Sequence, residues 1–149
     1  MPSCFFIGHS DCDRSVKDAI YEKAEKLILY DDVNVFYVGT HGHFDFYAYK
    51  ALCELRKIYD IKVYVVLAYI NQSTEYTYYS QEDTVYPSTL ENTPLRYAIN
   101  KRNMYMLSKS EYLICLLNNT FSNTYTFVKK AKNKKLSIIN IGKCNLDNI

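Results

Sequence analysis

Five short runs of β-branched and aromatic residues punctuate the chain: SCFFIG (3–8), VNVFYVG (33–39), KVYVVLAY (62–69), YLICLL (112–117) and LSIINI (136–141). Each is almost continuously apolar rather than alternating, the pattern of a strand covered on both faces in a parallel sheet. Between the runs, apolar positions recur at helical spacing. Val16, Ala19, Ile20, Ala24, Leu27 and Ile28 form one stripe within 14–31, with Asp13 placed to cap it. Ala48, Ala51, Leu52, Leu55 and Tyr59 form a second within 44–59, and Phe121, Tyr125, Val128 and Ala131 a third. Strands alternating with helices of this length predict right-handed βαβ units. The expectation is one α/β domain over 1–149, a Rossmann-like three-layer sandwich with a mostly parallel sheet of about five strands. Residues 70–94 break the pattern, with neither period and with Tyr76, Tyr78, Tyr79 and Tyr86 among them. A loop this long reads either as a disordered flap or as a lid whose aromatic faces stack on a planar ligand.

Composition narrows the class without naming a function. The chain has 149 residues, 48% hydrophobic and 23% charged, and a net charge of +2. That is a globular composition, and the longest apolar run is too short to cross a bilayer. The N-terminus, MPSCFFIGHSD, lacks the basic region of a secretory signal. Cys4, Cys12, Cys53, Cys115 and Cys144 are odd in number and show no CxxC spacing, so neither a zinc site nor a disulfide framework is expected. The reading is a reduced, cytoplasmic protein, with no cofactor and no membrane partner. Overall charge is too balanced to call for nucleic acid. The basic stretch KKAKNKK (129–135) could touch phosphates, but such a run more often forms a solvated helix face. Nucleic acid is therefore ranked last among the expected partners.

Candidate chemistry gathers in the loops after the strands, where parallel α/β sheets bind ligands and helix N-termini present free N–H groups. After the first run come Gly8, His9 and Ser10, either a simple turn or a set of donors for a phosphate or sugar. After the second come Gly39, Thr40, His41, Gly42, His43 and Asp45. Here the glycines would let a phosphate meet backbone amides, and Asp45 would either accept from a ribose hydroxyl or cap the helix. The two histidines lack a third ligand nearby in sequence, so no metal is expected. In PLRYAINKRNMYML (94–107), Leu95, Ile99 and Met106 share a face beside a polar strip of Arg96, Asn100 and Asn103. Arg102 falls inside the apolar arc, where a guanidinium needs a partner: a structural carboxylate or a ligand anion. Asn118, Asn119, Thr120, Ser122 and Asn123 then open the last helical stripe, as caps or as further donors.

Taken in order, FFIGHSD, FYVGTHGHFD, YVVLAYI and RYAINKRNMYML resemble the SLOG superfamily, the DprA–LOG group of Rossmann-like proteins, in its small bacterial and phage-type branch. The resemblance spans residues 4–141 and implies a pocket for a nucleotide or nucleotide derivative at the carboxyl edge of the sheet. By position it would be lined by Gly8, His9, Gly39, Thr40, Gly42, Asp45, Arg96 and Arg102 with the 118–123 loop. It also implies a homo-oligomer, dimers being common in the group. Two departures stand out: Ser10 replaces the usual arginine, and the hydrolase signature PGGxGTxxE is absent, its place taken by NNTFSNTY. The leading expectation is a binder of an ADP-ribose-like or cyclic nucleotide signal, a sensor or sequestering protein in antiviral defence or counter-defence. An alternative is a phosphoribohydrolase-like enzyme with Asp45 or Glu82 as the carboxylate that assists N-glycosidic cleavage. A third is a DNA-binding module.

Overall fold

The computed structural model describes residues 2–70 and 78–149. Six strands form one sheet: β1 (Ser3–Gly8), β2 (Val35–Val38), β3 (Lys62–Val66), β4 (Thr84–Val85), β5 (Tyr112–Leu116) and β6 (Ser137–Asn140). Their order is β4-β3-β2-β1-β5-β6, and every pair is parallel. The five predicted runs all become strands. The sixth, β4, was missed because it has only two residues, aligned beside Val65 and Val66. Such a short edge strand leaves no periodic signal.

Four helices connect the strands: α1 (Val16–Asp31), α2 (Gly42–Arg56), α3 (Leu95–Lys109) and α4 (Asn123–Asn133). Alternate strand residues divide the core in two. Cys4, Phe6, Phe36, Val63 and Ile114 pack under α1 and α2 with Ile20, Ala24, Leu52 and Leu55. Phe5, Ile7, Leu113 and Cys115 pack under α3 and α4 with Met106, Phe127 and Val128. Burial on both faces is why the strands read as unbroken apolar runs.

Local chemistry moved several boundaries. Asp13 does not cap α1; its carboxylate accepts from the Ser15 N–H at 3.3 Å in the preceding turn, and Ser15 takes the cap position. Phe121 is not on the α4 stripe: the helix starts two residues later and Phe121 is 95% exposed. The buried face of α4 is Thr124, Phe127, Val128 and Ala131. On α3 the buried arc is Ala98, Arg102, Asn103, Met106 and Leu107, whereas Leu95, predicted to share the apolar face, is 74% exposed.

The segment read as either a flap or a lid, 70–94, is fastened along its second half. Arg56 forks onto Asp83, Nη1 to Oδ1 at 2.8 Å and Nη2 to Oδ2 at 3.0 Å. Tyr49 donates its hydroxyl to the same carboxylate at 2.8 Å and accepts from the Ser80 N–H at 3.0 Å. Tyr79 is buried with its ring 4.9 Å from that of Tyr49, and Tyr86 donates to the Leu90 carbonyl at 3.2 Å. These bonds hold β4 at the sheet edge. Tyr76, also considered as a stacking face, lies outside the described residues.

Candidate functional site

In this strand order the chain runs outward from β1 to β2, β3 and β4 on one side, and to β5 and β6 on the other. The loops leaving β1 and β5 therefore diverge, which opens a crevice at the carboxyl edge. The crevice encloses about 720 Å³. His9 spans it: Nε2 accepts from the Asn118 N–H at 2.9 Å, joining the loops after β1 and β5. With Nε2 as acceptor, Nδ1 carries the proton of the neutral ring. Burial holds His9 below its ordinary pKa, consistent with that neutral state.

Of the predicted site residues, Gly8, His9, Ser10, His41, Asp45, Arg96, Asn100, Arg102, Asn103, Asn118 and Ser122 line this one crevice. Asp11, Ile99, Asn119, Asn123 and Thr124 line it too, of which Asp11 and Thr124 were not singled out from the sequence and Ile99 only as part of an apolar face. Ser122 caps α4 by accepting from the Tyr125 N–H at 3.4 Å, and Asn119 accepts from the Phe121 N–H at 3.0 Å. Asn123 Nδ2 donates to Asn100 Oδ1 at 2.8 Å and ties the entrance of α4 to α3.

Gly39, Thr40, Gly42 and Thr120 do not line the crevice. The two glycines of the second loop have packing reasons. A Cβ on Gly39 would stand 2.7 Å from Asp45 Oδ2 and 2.8 Å from Arg102 Nη1. Gly42 has a φ of +88°, and its Cβ would stand 2.6 Å from the Ser10 Cα. That close approach lets the His43 N–H reach the Ser10 carbonyl at 2.7 Å. Thr40 and Gly42 instead border a second cavity of about 440 Å³ with His43, Phe46, Tyr78 and Tyr79.

The crevice floor holds two buried ionisable groups. Arg102, 2% exposed, donates from Nε to Asn103 Oδ1 at 2.9 Å, and from Nη1 to the Val66 carbonyl at 3.1 Å and Thr40 Oγ1 at 3.5 Å. It thus binds α3 to the ends of β2 and β3. Asp45 accepts from the His41 N–H at 3.0 Å, the helix-capping role of the two weighed from sequence. Burial raises its pKa, opposed by the Arg102 charge and the His41 N–H. Glu82, the other carboxylate considered for catalysis, is exposed in the 3₁₀ turn Gln81–Asp83 and lines neither cavity. Among the described residues no group of three His, Cys, Asp or Glu side chains could hold a metal ion, and no helix is long and apolar enough to cross a membrane.

Exposed aromatic and cationic side chains adjoin the lining residues in sequence. Arg96 is exposed, with its guanidinium 4.8 Å from the ring centre of Tyr97, itself 52% exposed. Phe121 stands free in the loop between lining residues Asn119 and Ser122. Tyr97 was not predicted at the site, and Phe121 only as a member of the 118–123 loop. The signal available for Phe121 was its place among Asn, Thr and Ser, in a loop rather than on a stripe.

Neither a protein-family model nor a curated protein sequence matches the chain. Solved structures do. DNA processing protein A from Streptococcus pneumoniae aligns with a TM-score of 0.74 at 14% identity, over 98% of this chain and 52% of that one. DNA processing protein A from Helicobacter pylori, described for its unique single-stranded DNA binding mode, aligns with a TM-score of 0.70 at 13% identity, over 99% of this chain and 77% of that one. The chain thus has the DprA-like Rossmann fold and spans about half the length of the pneumococcal protein. These neighbours overturn two expectations. A free signalling nucleotide is not the ligand that the fold relatives point to, and nucleic acid does not belong last among the partners. The error came from summing charge over the whole chain, where opposite signs cancel.

Proposed function

We propose that this chain binds single-stranded DNA across the crevice at the carboxyl edge of the sheet. The observation that carries the reading is the pairing of exposed stacking faces with a polar cleft. Arg96 lines the crevice beside the exposed Tyr97, and the exposed Phe121 sits in sequence between the lining residues Asn119 and Ser122; amide, hydroxyl and imidazole groups line it with the carboxylates of Asp11 and Asp45. Single strands are held by this combination: bases stack on aromatic or guanidinium planes while donors follow the backbone. The fold neighbours supply independent support, since one of them is described for binding single-stranded DNA. Arg96 serves as the phosphate contact at the rim, and Asn119 and Ser122 offer polar groups beside Phe121. Arg102 and Asp45 hold the floor.

Fluorescence anisotropy of a labelled oligothymidylate, with unlabelled duplex as competitor, tests this. Phe121→Ala should weaken single-strand binding by about 1–3 kcal/mol, the worth of one base–aromatic stack. Arg96→Ala should weaken it and flatten its salt dependence. Duplex that competes as well as single strand, or affinity indifferent to both substitutions, would remove the reading.

A further inference from the structure

Charge is shared very unequally between the two helical layers. Residues 1–91, which supply α1 and α2, hold eight Lys/Arg against fourteen Asp/Glu; residues 92–149, which supply α3 and α4, hold ten against two. The first part is net −6 and the second net +8, and together they make the +2 of the whole chain. Between Glu91 and Asp147 the single acidic residue is Glu111, and its Oε2 is engaged by the Ser3 N–H at 2.8 Å.

The lysines of the two layers also differ in their surroundings. On the α1–α2 side cations meet carboxylates: Lys17 with Glu54 at 2.8 Å, Lys26 with Glu22 at 3.1 Å, Arg56 with Asp83 at 2.8 Å. On the α3–α4 side Lys101, Lys109, Lys129, Lys130, Lys134 and Lys135 are all exposed. Among the described residues none of these has a carboxylate within 4.0 Å. Lys109 lies 5.6 Å from the ring centre of Tyr105 and Lys130 5.1 Å from that of Phe127, so their stems run along aromatic surface. Lys132 is occupied otherwise, donating to the Leu146 and Ile149 carbonyls at 2.8 Å each.

A solvated face gains nothing from a single sign; like charges repel and mixed signs keep a surface equally wet. A one-signed field suits a polyanion. The layer also begins at the crevice, because the Asn100–Asn123 bond joins α3 and α4 at its mouth and Lys130 reaches Met104 farther along the same pair of helices.

We propose that the α3–α4 layer is a second nucleic-acid contact surface, a sequence-independent track for the phosphates of the strand leaving the crevice. It rests on the single-strand reading of the crevice and extends it. Lys101 and Lys130 carry the strand between the helices, and Lys129, Lys134 and Lys135 receive it at the far end of α4. Lys and Arg that neutralise phosphates release condensed counterions, so the track has a measurable salt signature.

The test uses the full chain and a variant with Lys129, Lys130, Lys134 and Lys135 all replaced by Gln. Each is titrated by anisotropy with oligothymidylates of about 5 and about 20 nucleotides, bracketing crevice-sized and track-sized strands. The long strand should lose on the order of 10–100-fold in affinity near 0.1 M salt. The slope of log K against log salt should become shallower by about 2–3, at roughly 0.7 for each phosphate no longer neutralised. The short strand should keep its affinity within about twofold, and replacing the same lysines by Arg should restore the long-strand affinity. An unchanged long-strand affinity and slope, with Phe121→Ala still impaired, would overturn the track and leave the crevice reading standing. Equal losses on both strands would overturn it as well, since that is a general field effect. No oligonucleotide binding by the wild-type chain would remove the crevice reading and the track together. Lysine-dependent capture by phosphatidylserine vesicles without capture of oligonucleotides would assign the layer to a membrane surface instead.

Discussion

The two sides of the sheet are made in the same way yet present opposite surfaces to solvent. Under α1 and α2, and under α3 and α4, alternate residues of the same strands form apolar layers with almost no exposure. Outside, the first side pairs Lys17, Lys26 and Arg56 with carboxylates, whereas the second presents lysines with almost no acid among them. Packing therefore sets the fold on both sides, and charge distinguishes them. One residue crosses the divide: Arg102 belongs to α3 but bonds Thr40 and Val66 at the ends of β2 and β3, beside Asp45 of α2.

Removing that crossing should produce the largest effect. Arg102→Met would leave Asp45 buried without its neighbouring cation, and losing one member of a buried charged pair costs about 3–5 kcal/mol. Urea unfolding should show a loss of that order with the m-value unchanged. A loss below about 1 kcal/mol would mean that Asp45 and Arg102 are not mutually dependent.

Reversing the surfaces comes next. Replacing Lys129, Lys130, Lys134 and Lys135 by Glu should reduce long-strand affinity on the order of 100-fold near 0.1 M salt. Replacing Asp18, Glu22 and Asp31 on α1 by Lys should change it less than about threefold, because that surface faces away from the strand. Equal sensitivity on both faces in this anisotropy titration would dissolve the contrast.

A smaller effect is expected at the β4 edge. Asp83 is held below its ordinary pKa chiefly by the hydrogen bonds from Arg56. A depressed carboxylate pKa stabilises the fold above the unfolded value, near 3.8, and that contribution is lost as pH falls through the folded value. Arg56 is partly exposed, which limits the pair to about 1 kcal/mol. Asp83→Asn should therefore lower stability at pH 7 by about that amount and flatten the acid limb of a stability–pH curve.

His9 gives the smallest effect, with the same direction of proton linkage but a neutral ring rather than a carboxylate as the favoured form. Burial lowers its pKa below 6.5, so the unfolded chain takes up the proton first as pH falls. Its contribution is complete above about 6.5 and declines below it, toward the folded value. His9→Gln should remove that slope between pH 7 and 5 in thermal melts, because it removes the titrating ring.

The elements that sequence reading recovered are those with a strong physical period. β1, β2, β3 and β5 are largely buried and their apolar runs say so directly, while the edge strand β6 shows its run through the part-buried Ile138 and Ile139, packed against opposite core clusters. Arg102 was legible because a guanidinium inside an apolar arc requires a partner. β4 was not, since two residues held by Arg56, Asp83 and Tyr49 carry their stability in side-chain bonds between distant positions. Phe121 was misread because residues 121, 125 and 128 happen to keep helical spacing, although the Ser122 cap starts α4 only afterwards. The glycines of the second loop were visible, but their reasons were not. Gly39 makes room for Asp45 and Arg102, and Gly42 for Ser10. The charge contrast was present in the sequence and vanished in the total. It becomes meaningful once topology places α1 and α2 on one side of the sheet and α3 and α4 on the other.

The most direct measurement is photocrosslinking of the wild-type chain to an oligonucleotide carrying 5-iododeoxyuridine, with the crosslinked peptides identified by mass spectrometry. Crosslinks at Phe121 and Tyr97, lost in the presence of excess unlabelled single strand and retained with excess duplex, are the predicted result. Crosslinks confined to the α1–α2 side, or a yield that duplex suppresses equally, would contradict single-strand binding at the crevice.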